Sequence, residues 1–558
     1  MKEFYDELNK GIIRKNLDVN GILKLRTELG KKYKIKHLPT LIEIFLNFPE
    51  NKINKLKGLI SKPTRTISGV APIAIMTKPF KCPHGKCAIC PGGINSYFGD
   101  VPQSYTGREP ATLRAIRNNY DPYLQVFNRL EQYLVLGHIP DKVELILMGG
   151  TFPSLDKKYQ DEFVTYALKA MNDFSTLFFK KGNMDIKKLK SFFEIPSNIH
   201  NPSRISRIKL KIKKLKSRST LEKEQKRNEK AFIRCVGLTI ETRPDYALLE
   251  HANQMLRLGA TRVELGVQSV YDAPLKEIER GHTVKDSIKA IKILKNLGFK
   301  LNFHYMIGLP KTTPRQDIEG LKKLFEDSDF QPDMLKIYPC LVLKGTKLYE
   351  KYKKNKYCPL TTIQAIKIIS EFKKIVPEYV RIMRVQRDIP TKVTEAGPDR
   401  NNLRQYVTEE LKKKGIFCKC IRCREIKNKI PKKTHLRIIS YNASKGKEFF
   451  LSIVDSENSL IGFLRLRFPS AFLRKEITKT SALVRELHVY SPITQIGKKS
   501  EKSQQHKGYG KILLNEAEKI SRLNNKTKMV IISGIGVREY YKKQGYKKEG
   551  PYMVKVLK

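Results

Sequence analysis

VGLTIETRPDYALLEHANQMLRLGATRVELGV, residues 236–267, contains a strand, a helix and a second strand in succession. The runs Val236–Ile240 and Arg262–Val267 are short and largely apolar, which is typical of buried strands. Between them, Asp245–Leu258 has apolar residues at helical spacing. A strand, a helix and a strand in this order predict a parallel β-sheet whose helices pack on its outer face.

The same unit recurs on both sides of this segment. Further β-like runs lie at Ala71–Met76, Val143–Met148, Leu301–Ile307 and Met334–Tyr338, and helical patterns lie at Val284–Leu297 and Thr313–Asp327. Six strands are too few for a closed eight-stranded barrel. We therefore predict an α/β fold built on a partial (β/α)6 barrel.

The C-terminal part has a different order of elements. Phe449–Val454 and Leu460–Arg467 predict a hairpin, and Leu483–Tyr490 predicts a further strand. A helix at Gly508–Ile520, a strand at Met529–Ser533 and a helix at Val537–Gln544 follow. This order predicts a separate, mixed α+β domain. We expect four parts: a basic helical region at 1–66, the barrel at 67–385 with an insertion at 181–230, a linker at 386–430 and the α+β domain at 431–558.

The charge of the chain indicates a polyanionic partner. It contains 109 Lys and Arg against 55 Asp and Glu, a formal net charge of +54. The insertion at 181–230 alone has 16 Lys and Arg against 5 Asp and Glu. Nucleic acid is the first candidate, bound by the N-terminal region and the insertion, although the insertion is equally interpreted as a solvated loop.

The composition also excludes several classes of protein. Hydrophobic residues make up 40% of the chain, so disorder is not expected. The N-terminus has no secretory signal, and no apolar stretch is long enough for a membrane span. We expect a cytoplasmic protein without membrane contacts.

The first of two cysteine groups follows the first predicted barrel strand and reads Cys82-Pro-His-Gly-Lys-Cys87-Ala-Ile-Cys90-Pro-Gly-Gly93. Three thiolates on one loop can hold three irons of a 4Fe–4S cluster and leave the fourth iron open. The open iron could chelate S-adenosylmethionine. The alternative is a structural zinc knuckle, for which His84 is the one nearby fourth ligand.

The second group, Cys418, Cys420 and Cys423, lies in the linker. Three thiolates within six residues suit a tetrahedral zinc ion. Cys358 and His435 are the candidates for the fourth ligand, and the sequence does not distinguish between them. The alternative is a reduced cysteine-rich loop without metal.

A glycine-rich turn opens the helix of the C-terminal domain. It reads Gln505-His-Lys507-Gly508-Tyr-Gly510-Lys511. Backbone N–H groups at a helix N-terminus suit the pyrophosphate of coenzyme A, and glycines allow its close approach. Further on, Ser533-Gly-Ile-Gly-Val-Arg-Glu-Tyr540-Tyr541 follows a strand. Its tyrosines could protonate a departing thiolate or line an acyl pocket, or could simply be core residues.

Several motifs resemble those of known families. They are Thr77–Gly93, Gln103–Pro110, Glu241–Asp245, Glu264–Ser269, His304–Pro310 and Arg384–Pro390. The cysteine loop is similar to that of the radical S-adenosylmethionine superfamily, although its spacing is four and two residues instead of three and two. With the other motifs, the chain from about residue 60 onward resembles the Elongator catalytic subunit family of tRNA wobble-uridine acetyltransferases. Its C-terminal domain resembles the GNAT acetyltransferase fold.

The ends of the barrel strands supply the candidate site residues, since barrels place chemistry at the C-terminal ends of their strands. The backbone of Gly149-Gly150-Thr151 could approach the methionyl amino group of the cofactor. Further candidates for cofactor binding or catalysis are Glu241, Arg243, Glu264, Gln268, Gly308 and Lys336. Each could instead be a solvated or core polar group.

The resemblance implies an enzyme that uses S-adenosylmethionine radical chemistry and acetyl-CoA to install a 5-carboxymethyl group on the wobble uridine of tRNA. It also implies a zinc site in the linker and a loop near residues 491–503 that covers the acetyl-CoA site until tRNA binds. Partners are tRNA and either a second copy or accessory Elongator-like subunits. Two alternatives are a protein lysine acetyltransferase with a structural cluster and a non-catalytic tRNA-binding scaffold.

Overall fold

The structure is a computed structural model of the chain. It describes residues 2–35, 38–39, 41–49, 69–135, 138–195, 201–400, 402–427, 429–490 and 508–557. The loop at 491–503, together with Gln505 and Lys507, lies outside the described residues. Within the described ranges, no helix is long and apolar enough to cross a membrane.

Three helices form a small N-terminal bundle: α1 (Lys2–Lys15), α2 (Val19–Lys32) and α3 (Leu41–Leu46). They share a core separate from that of the barrel, which includes Phe4, Leu8, Ile22 and Phe48. The apolar-rich run Leu38–Phe48 predicts a longer helix than the observed Leu41–Leu46, and Pro39 explains why Leu38 is not helical, because a proline disfavours helical backbone at the residue before it.

The central part of the chain alternates strands and helices. In chain order, its elements are β1 (Ala71–Met76), β2 (Gly93–Ser96), β3 (Gly99–Val101), α4 (Pro110–Arg117), α5 (Pro122–Val135), β4 (Lys142–Met148), α6 (Lys157–Phe178), β5 (Phe179–Lys180), β6 (Asn183–Met184), α7 (Ile186–Phe193), α8 (Pro202–Leu215), α9 (Leu221–Lys230), β7 (Arg234–Thr242), α10 (Leu249–Leu258), β8 (Arg262–Gln268), α11 (Asp272–Glu277), α12 (Val284–Asn296), β9 (Lys300–Ile307), α13 (Pro314–Glu326), β10 (Met334–Pro339), α14 (Lys347–Lys353), α15 (Thr362–Ile375) and β11 (Arg381–Arg384).

Seven parallel strands form the barrel sheet, in the order β1-β4-β7-β8-β9-β10-β11. All six strands predicted from the sequence are present, and the α/β partial barrel is confirmed. The seventh strand, β11, was not predicted, because Arg381-Ile-Met-Arg384 has charged ends and no apolar run. An open sheet of this kind leaves one side of its interior accessible.

The barrel interior is charged. Burial alternates along β4, so that successive side chains face opposite sides of the sheet. Arg262 pairs with Glu144 at 2.7 Å and lies 3.5 Å from Glu264. Because barrel interiors are usually filled by aliphatic side chains, this polar lining indicates a binding space rather than a packed core.

The insertion at 181–230 folds against the barrel as the helices α7, α8 and α9. Asn172 of α6 donates a 2.8 Å hydrogen bond to Glu224 of α9, and Arg204 of α8 donates to the carbonyl of Phe193. The sequence showed no strand here, but Asn183–Met184 pairs with Phe179–Lys180 in a minimal hairpin. The four residues are too few to give an apolar run.

The linker contributes α16 (Leu403–Lys413) and α17 (Ile421–Arg424). The C-terminal elements are β12 (Thr434–Ala443), β13 (Gly446–Asp455), β14 (Leu460–Phe468), β15 (Ser481–Val489), α18 (Tyr509–Leu523), β16 (Lys528–Ile531), α19 (Arg538–Lys542), β17 (Lys547–Glu549) and β18 (Tyr552–Val556). Their sheet has the order β12-β13-β14-β15-β16-β18-β17 and one parallel pair, β15 with β16. The separate mixed domain predicted from the sequence is therefore confirmed.

A buried ionic cluster joins the barrel to the C-terminal sheet. Both carboxylate oxygens of Asp333, next to β10, accept hydrogen bonds from Arg485 of β15, at 2.5 and 2.8 Å. Glu448 of β13 pairs with Arg467 at 2.9 Å and with Arg485 at 3.1 Å. Although burial would raise the pKa of Asp333, Arg485, Lys295 and Arg465 hold that pKa well below its usual range. These fully buried pairs fix the two sheets against each other.

Candidate active site

The loop after β1 carries the first cysteine group. Cys87 and Cys90 are buried and Cys82 is partly exposed. The N–H of Ser104 lies 3.3 Å from Cys90 Sγ, and Arg280 Nη1 lies 3.5 Å from Cys87 Sγ. A Cβ on Gly92 would collide with the carbonyl oxygen of Pro102, so only glycine allows the loop to curl this tightly.

His84 lies between two of the thiols. Its ring nitrogens are 3.1 Å from Cys82 Sγ and 3.0 Å from Cys87 Sγ. Burial, together with Arg243 and Arg280, lowers the pKa of His84 to about 4. The ring is therefore neutral at physiological pH and adds no positive charge to the loop.

The glycine turn after β4 reaches the same loop. Thr151 Oγ1 lies 3.6 Å from Cys82 Sγ. Gly149 and Gly150 have φ values of +126° and +109°, which favour glycine. A Cβ on Gly149 would collide with Thr77 Oγ1. The turn thus presents bare backbone beside the cysteines.

A cluster of ionisable side chains lies inside the barrel near this turn. Glu264 accepts hydrogen bonds from His304 Nε2 at 2.9 Å and Asn302 Nδ2 at 3.1 Å, and it pairs closely with Lys336. Lys336 Nζ is 3.9 Å from Glu241, which also accepts a 3.0 Å hydrogen bond from the Tyr105 hydroxyl. Three of the predicted site residues, Glu241, Glu264 and Lys336, therefore meet.

The two carboxylates of this cluster have opposite pKa shifts. Burial raises the pKa of Glu241 to about 7, against the attraction of Lys336. Burial also acts on Glu264, but Lys336 and His304 outweigh it and hold the pKa of Glu264 well below its usual value. Ligand atoms of Glu241, Glu264 and His304 lie within 4.8 Å of one another, as in metal sites. The Lys336 ammonium already supplies the cation there, so a metal ion has no place in this cluster.

The start of α18 and the short helix α19 form the predicted acetyl-CoA region. Gly508 caps α18 with a φ of +81°, and Gly510 lies in its first turn. A Cβ on Gly510 would lie 3.0 Å from the Tyr540 hydroxyl. Burial raises the pKa of Tyr540, so its hydroxyl stays protonated and can donate a hydrogen bond or a proton. Tyr541 is buried beside it, with the rings 5.2 Å apart.

A single cavity of about 1690 Å³ touches both regions. Its lining includes Cys82, Cys87 and Cys90 at one part and Gly508, Gly510, Lys511, Tyr540 and Tyr541 at another. Arg384, Arg387, Arg404 and Arg422 also line it. Arg404 and Arg422 donate to the backbone carbonyls of Ile382 and Met383, so β11 holds them in place.

The comparison with known proteins places the chain in a family. A model of the radical SAM superfamily matches residues 79–325, and one of the radical SAM C-terminal domain matches residues 332–413. A protein named tRNA uridine(34) acetyltransferase from Methanocaldococcus jannaschii is 46% identical over 100% of this chain and 97% of its own length. Elongator complex protein 3 of Mus musculus is 39% identical over 98% of this chain and 94% of its own.

The chain belongs to the Elongator complex protein 3 family of the radical SAM superfamily. A solved structure supports this membership: the archaeal Methanocaldococcus infernus Elp3 with an N-terminal deletion is 41% identical and superposes with a TM-score of 0.71. The match covers 88% of this chain and 100% of that one.

Membership in the radical SAM superfamily implies a 4Fe–4S cluster and S-adenosylmethionine, and the residues present suit both. Among the described residues, the thiols of Cys82, Cys87 and Cys90 do not all lie within 4.8 Å of one another. This wide spacing suits a multi-iron cluster better than one zinc ion. Three buried oxygens have no hydrogen-bond partner in the described part: Thr77 Oγ1 and Gln103 Oε1, which lie against the glycine turn, and Gln268 Oε1, at the end of β8. Gln103 and Gln268 also line the cavity, so their oxygens are free to bind a polar cofactor.

The second cysteine group is compact. The sulfurs of Cys418, Cys420 and Cys423 lie within 4.8 Å of one another, which suits a single zinc ion. Within the described ranges, neither Cys358 nor His435 joins this group. The nearby cation is Lys373, whose Nζ is 3.7 Å from Cys423 Sγ.

The structure adds residues that the sequence did not reveal. Thr77 and Gln103 flank the cysteine loop in the chain, but Arg280 is far from it in sequence, and only the fold brings Arg280 to Cys87. Gln103 stood inside a motif quoted for the family resemblance, so it carried a signal of its own. Arg243, a predicted candidate, lines the cavity, pairs with Asp245 at 2.9 Å and donates to the carbonyl of Arg280. Gly308 lies against Leu360 and is not among the residues that line the cavity.

Proposed function

We propose that this chain is a tRNA-modifying acyltransferase that uses S-adenosylmethionine and acetyl-CoA to install a 5-carboxymethyl group on the wobble uridine of tRNA. The single cavity lined by both the cysteine loop and the Tyr540 region carries this proposal. The names of the relatives, tRNA uridine(34) acetyltransferase and Elongator complex protein 3, support it. We place the protein in the cytoplasm.

Cys82, Cys87 and Cys90 would hold the cluster, which when bound supplies the single electron that cleaves S-adenosylmethionine. The backbone of Gly149 and Gly150 and the free oxygens of Gln103 and Gln268 would orient the methionyl and nucleoside parts. Burial in the loop keeps water away from this chemistry.

The first turn of α18 would hold the pyrophosphate of acetyl-CoA through its free N–H groups and helix dipole. Lys511, in the same turn, adds a cation beside the phosphates. The Tyr540 hydroxyl, facing Gly510, would lie near the thioester and can donate a proton to the departing thiolate.

The arginines of the cavity suit an anticodon. Arg384, Arg404 and Arg422 lie on or next to β11, and their guanidinium groups can pair with phosphates. Lys336, held between Glu241 and Glu264, supplies a fixed donor inside the barrel for a uracil carbonyl. The three thiolates at 418–423 would bind zinc and keep β11 and its arginines in place.

The test is anaerobic reconstitution with iron and sulfide, followed by incubation with a one-electron reductant such as dithionite, tRNA, S-adenosylmethionine and acetyl-CoA labelled with ¹³C in its acetyl group. Mass spectrometry of the digested tRNA should show labelled 5-carboxymethyluridine, and the Cys87→Ser variant should show none. If 5′-deoxyadenosine forms while no labelled nucleoside appears, the proposal is wrong. Transfer of the label to a lysine-rich peptide instead would favour a protein acetyltransferase.

A further inference from the structure

The turn before α19 packs directly on the barrel. A Cβ on Gly534 would collide with the carbonyl oxygen of Val236 in β7. A Cβ on Gly536 would lie 2.5 Å from the Arg234 side chain. In the structure, these glycines allow the backbone of the C-terminal domain to approach a barrel strand.

Ile535, between the two glycines, fits into a gap in the barrel. It is fully buried, and a Cβ on Gly259 would lie 2.7 Å from its Cδ1. The side chain therefore occupies the space that the missing Gly259 side chain leaves open. This contact fixes the turn in one position at the N-terminal end of β7.

Glu229, in the last turn of α9, fixes the helix that follows. Its two carboxylate oxygens pair with Arg538 Nη1 and Lys542 Nζ, each at 3.0 Å. Its side chain is 10% exposed, and that of Arg538 is 3% exposed. Burial acts to raise the pKa of Glu229, but the hydrogen bonds from Arg538 and Lys542 outweigh it and lower that pKa. The carboxylate is therefore charged at neutral pH.

The two cations lie on either side of the candidate tyrosines. Helix α19 comprises Arg538–Lys542, and Tyr540 and Tyr541 lie between its charged ends. A helix of five residues has too few internal hydrogen bonds to hold its own position. Its anchors therefore decide where the Tyr540 hydroxyl lies relative to the first turn of α18.

We propose that Glu229, a residue of the barrel insertion, is a positioning residue of the acetyl-CoA site. It holds α19 so that the Tyr540 hydroxyl faces the N-terminal turn of α18, and the acetyl-CoA site is complete only when the barrel supplies this anchor. The inference rests on the proposed function, because it assumes that acetyl-CoA binds between α18 and α19.

The test compares Glu229→Gln with Glu222→Gln in the full chain. Glu222 is on the same helix, but its side chain is 75% exposed and pairs with Arg257 only at 3.5 Å. Acetyl-CoA affinity is measured by titration calorimetry, and 5′-deoxyadenosine formation and thermal unfolding are measured on the same samples. We expect Glu229→Gln to weaken acetyl-CoA binding by about tenfold, equivalent to about 1.4 kcal/mol, with cofactor cleavage unchanged. Glu222→Gln should bind as the unsubstituted chain does.

Two further variants keep the result decisive. Glu229→Asp retains the charge and should recover part of the affinity. Lys542→Gln removes one contact at a half-exposed position and should weaken binding by roughly two- to threefold, even if Glu229→Gln folds poorly.

Equal affinity in Glu229→Gln and Glu222→Gln would overturn the inference. So would a loss of cofactor cleavage and thermal stability in proportion to the loss of binding, since that result indicates a general structural role. If the unsubstituted chain does not bind acetyl-CoA even when tRNA is present, the proposed function fails first, and this inference fails with it.

Discussion

At the scale of single residues, one lysine divides two neighbouring carboxylates into an ionised group and a group that titrates near neutral pH. Lys336 pairs closely with Glu264 and lies 3.9 Å from Glu241. The nearer carboxylate gains enough attraction to stay charged, whereas the farther one cannot offset its burial. Such a divided pair gives the cavity one fixed anion and one group that can exchange a proton near neutral pH.

This division predicts opposite pH dependences of stability. The raised pKa of Glu241 means that the folded state binds more protons than the unfolded state between about pH 4.5 and 7, so the cost of Glu241 grows as pH rises through that window. The difference in the free energy of unfolding between Glu241→Gln and the unsubstituted chain should therefore shift in favour of the variant by roughly 1–3 kcal/mol as pH rises from about 5 to about 8. The measurement is urea unfolding at both values.

Glu264 serves as the matched comparison. Its lowered pKa contributes stability that is present above the unfolded value of 4.5 and is lost as pH falls through the folded value. Glu264→Gln should therefore lose more stability at about pH 8 than near pH 4. If the stability of both variants, relative to the unsubstituted chain, changed in the same direction as pH rises, the division of charge by Lys336 would be contradicted.

The cysteine loop gives a second prediction at this scale. Cys87→Ser removes a thiolate that also accepts from Arg280 at 3.5 Å, and iron bound after anaerobic reconstitution should fall sharply. Formation of 5′-deoxyadenosine should drop by on the order of a hundredfold or more, while tRNA binding stays nearly intact. Cys358→Ser, an exposed cysteine outside both groups, is the control. Normal iron content in the Cys87 variant would refute the assignment of the loop.

At the scale of elements, the segment after Gly415 connects two sheets. Ile421 N donates to the carbonyl of Val380 next to β11, and Ile426 N donates to the carbonyl of Leu460 at the start of β14. Cys420 is buried at the N-cap of α17, directly before the first of these contacts, and Cys423 lies between the two. A metal ion at Cys418, Cys420 and Cys423 would therefore brace β11 against the C-terminal sheet.

The corresponding prediction concerns metal content. The purified chain should contain one zinc per molecule, and Cys420→Ser should lose it. Because a structural zinc contributes directly to folding, the variant should be less stable by several kcal/mol, and the 386–430 segment should become sensitive to protease. Thermal unfolding and limited proteolysis check this, with Cys340→Ser, a buried cysteine elsewhere, as the control. Full zinc content in Cys420→Ser would show that the group does not bind it.

The elements also show how far the sequence could lead. Long apolar runs such as Leu301–Ile307 predicted their strands, and the run Val143–Met148 predicted a barrel strand that ends at the Gly149-Gly150 turn. The sequence could not predict β11, because its strand character comes from pairing with β10 rather than from its own four residues. Nor could it predict the contact of Gly534 with β7, because a glycine that allows two backbones to approach leaves the same pattern as one that binds a phosphate.

At the scale of the whole molecule, the net charge of +54 acts together with a cavity lined by arginines. The insertion contributes 16 Lys and Arg against 5 Asp and Glu to this charge, while a separate group of arginines lines the cavity. Binding of tRNA should therefore have two components. One is a salt-dependent attraction over the surface, and the other is a more specific contact inside.

The last prediction tests whether exposed cations of the insertion contribute to the salt-dependent binding of tRNA. In the insertion, Lys213, Lys214 and Arg218 are exposed, and their replacement by Gln removes three cations. If phosphates of tRNA contact them, affinity should fall, and the slope of log affinity against log salt should become shallower by about 0.7–0.9 for each phosphate that is no longer neutralised. Electrophoretic mobility shift across a salt series measures both quantities.

Lys322, Lys323 and Arg315 of α13 pair with acidic side chains on their own helix or directly after it, so their replacement removes the same charge from another face. Deletion of residues 1–60 tests the N-terminal contribution in the same assay. Equal slopes for the insertion variant and the α13 variant would show that tRNA responds only to total charge, and that the insertion is not a tRNA-binding surface.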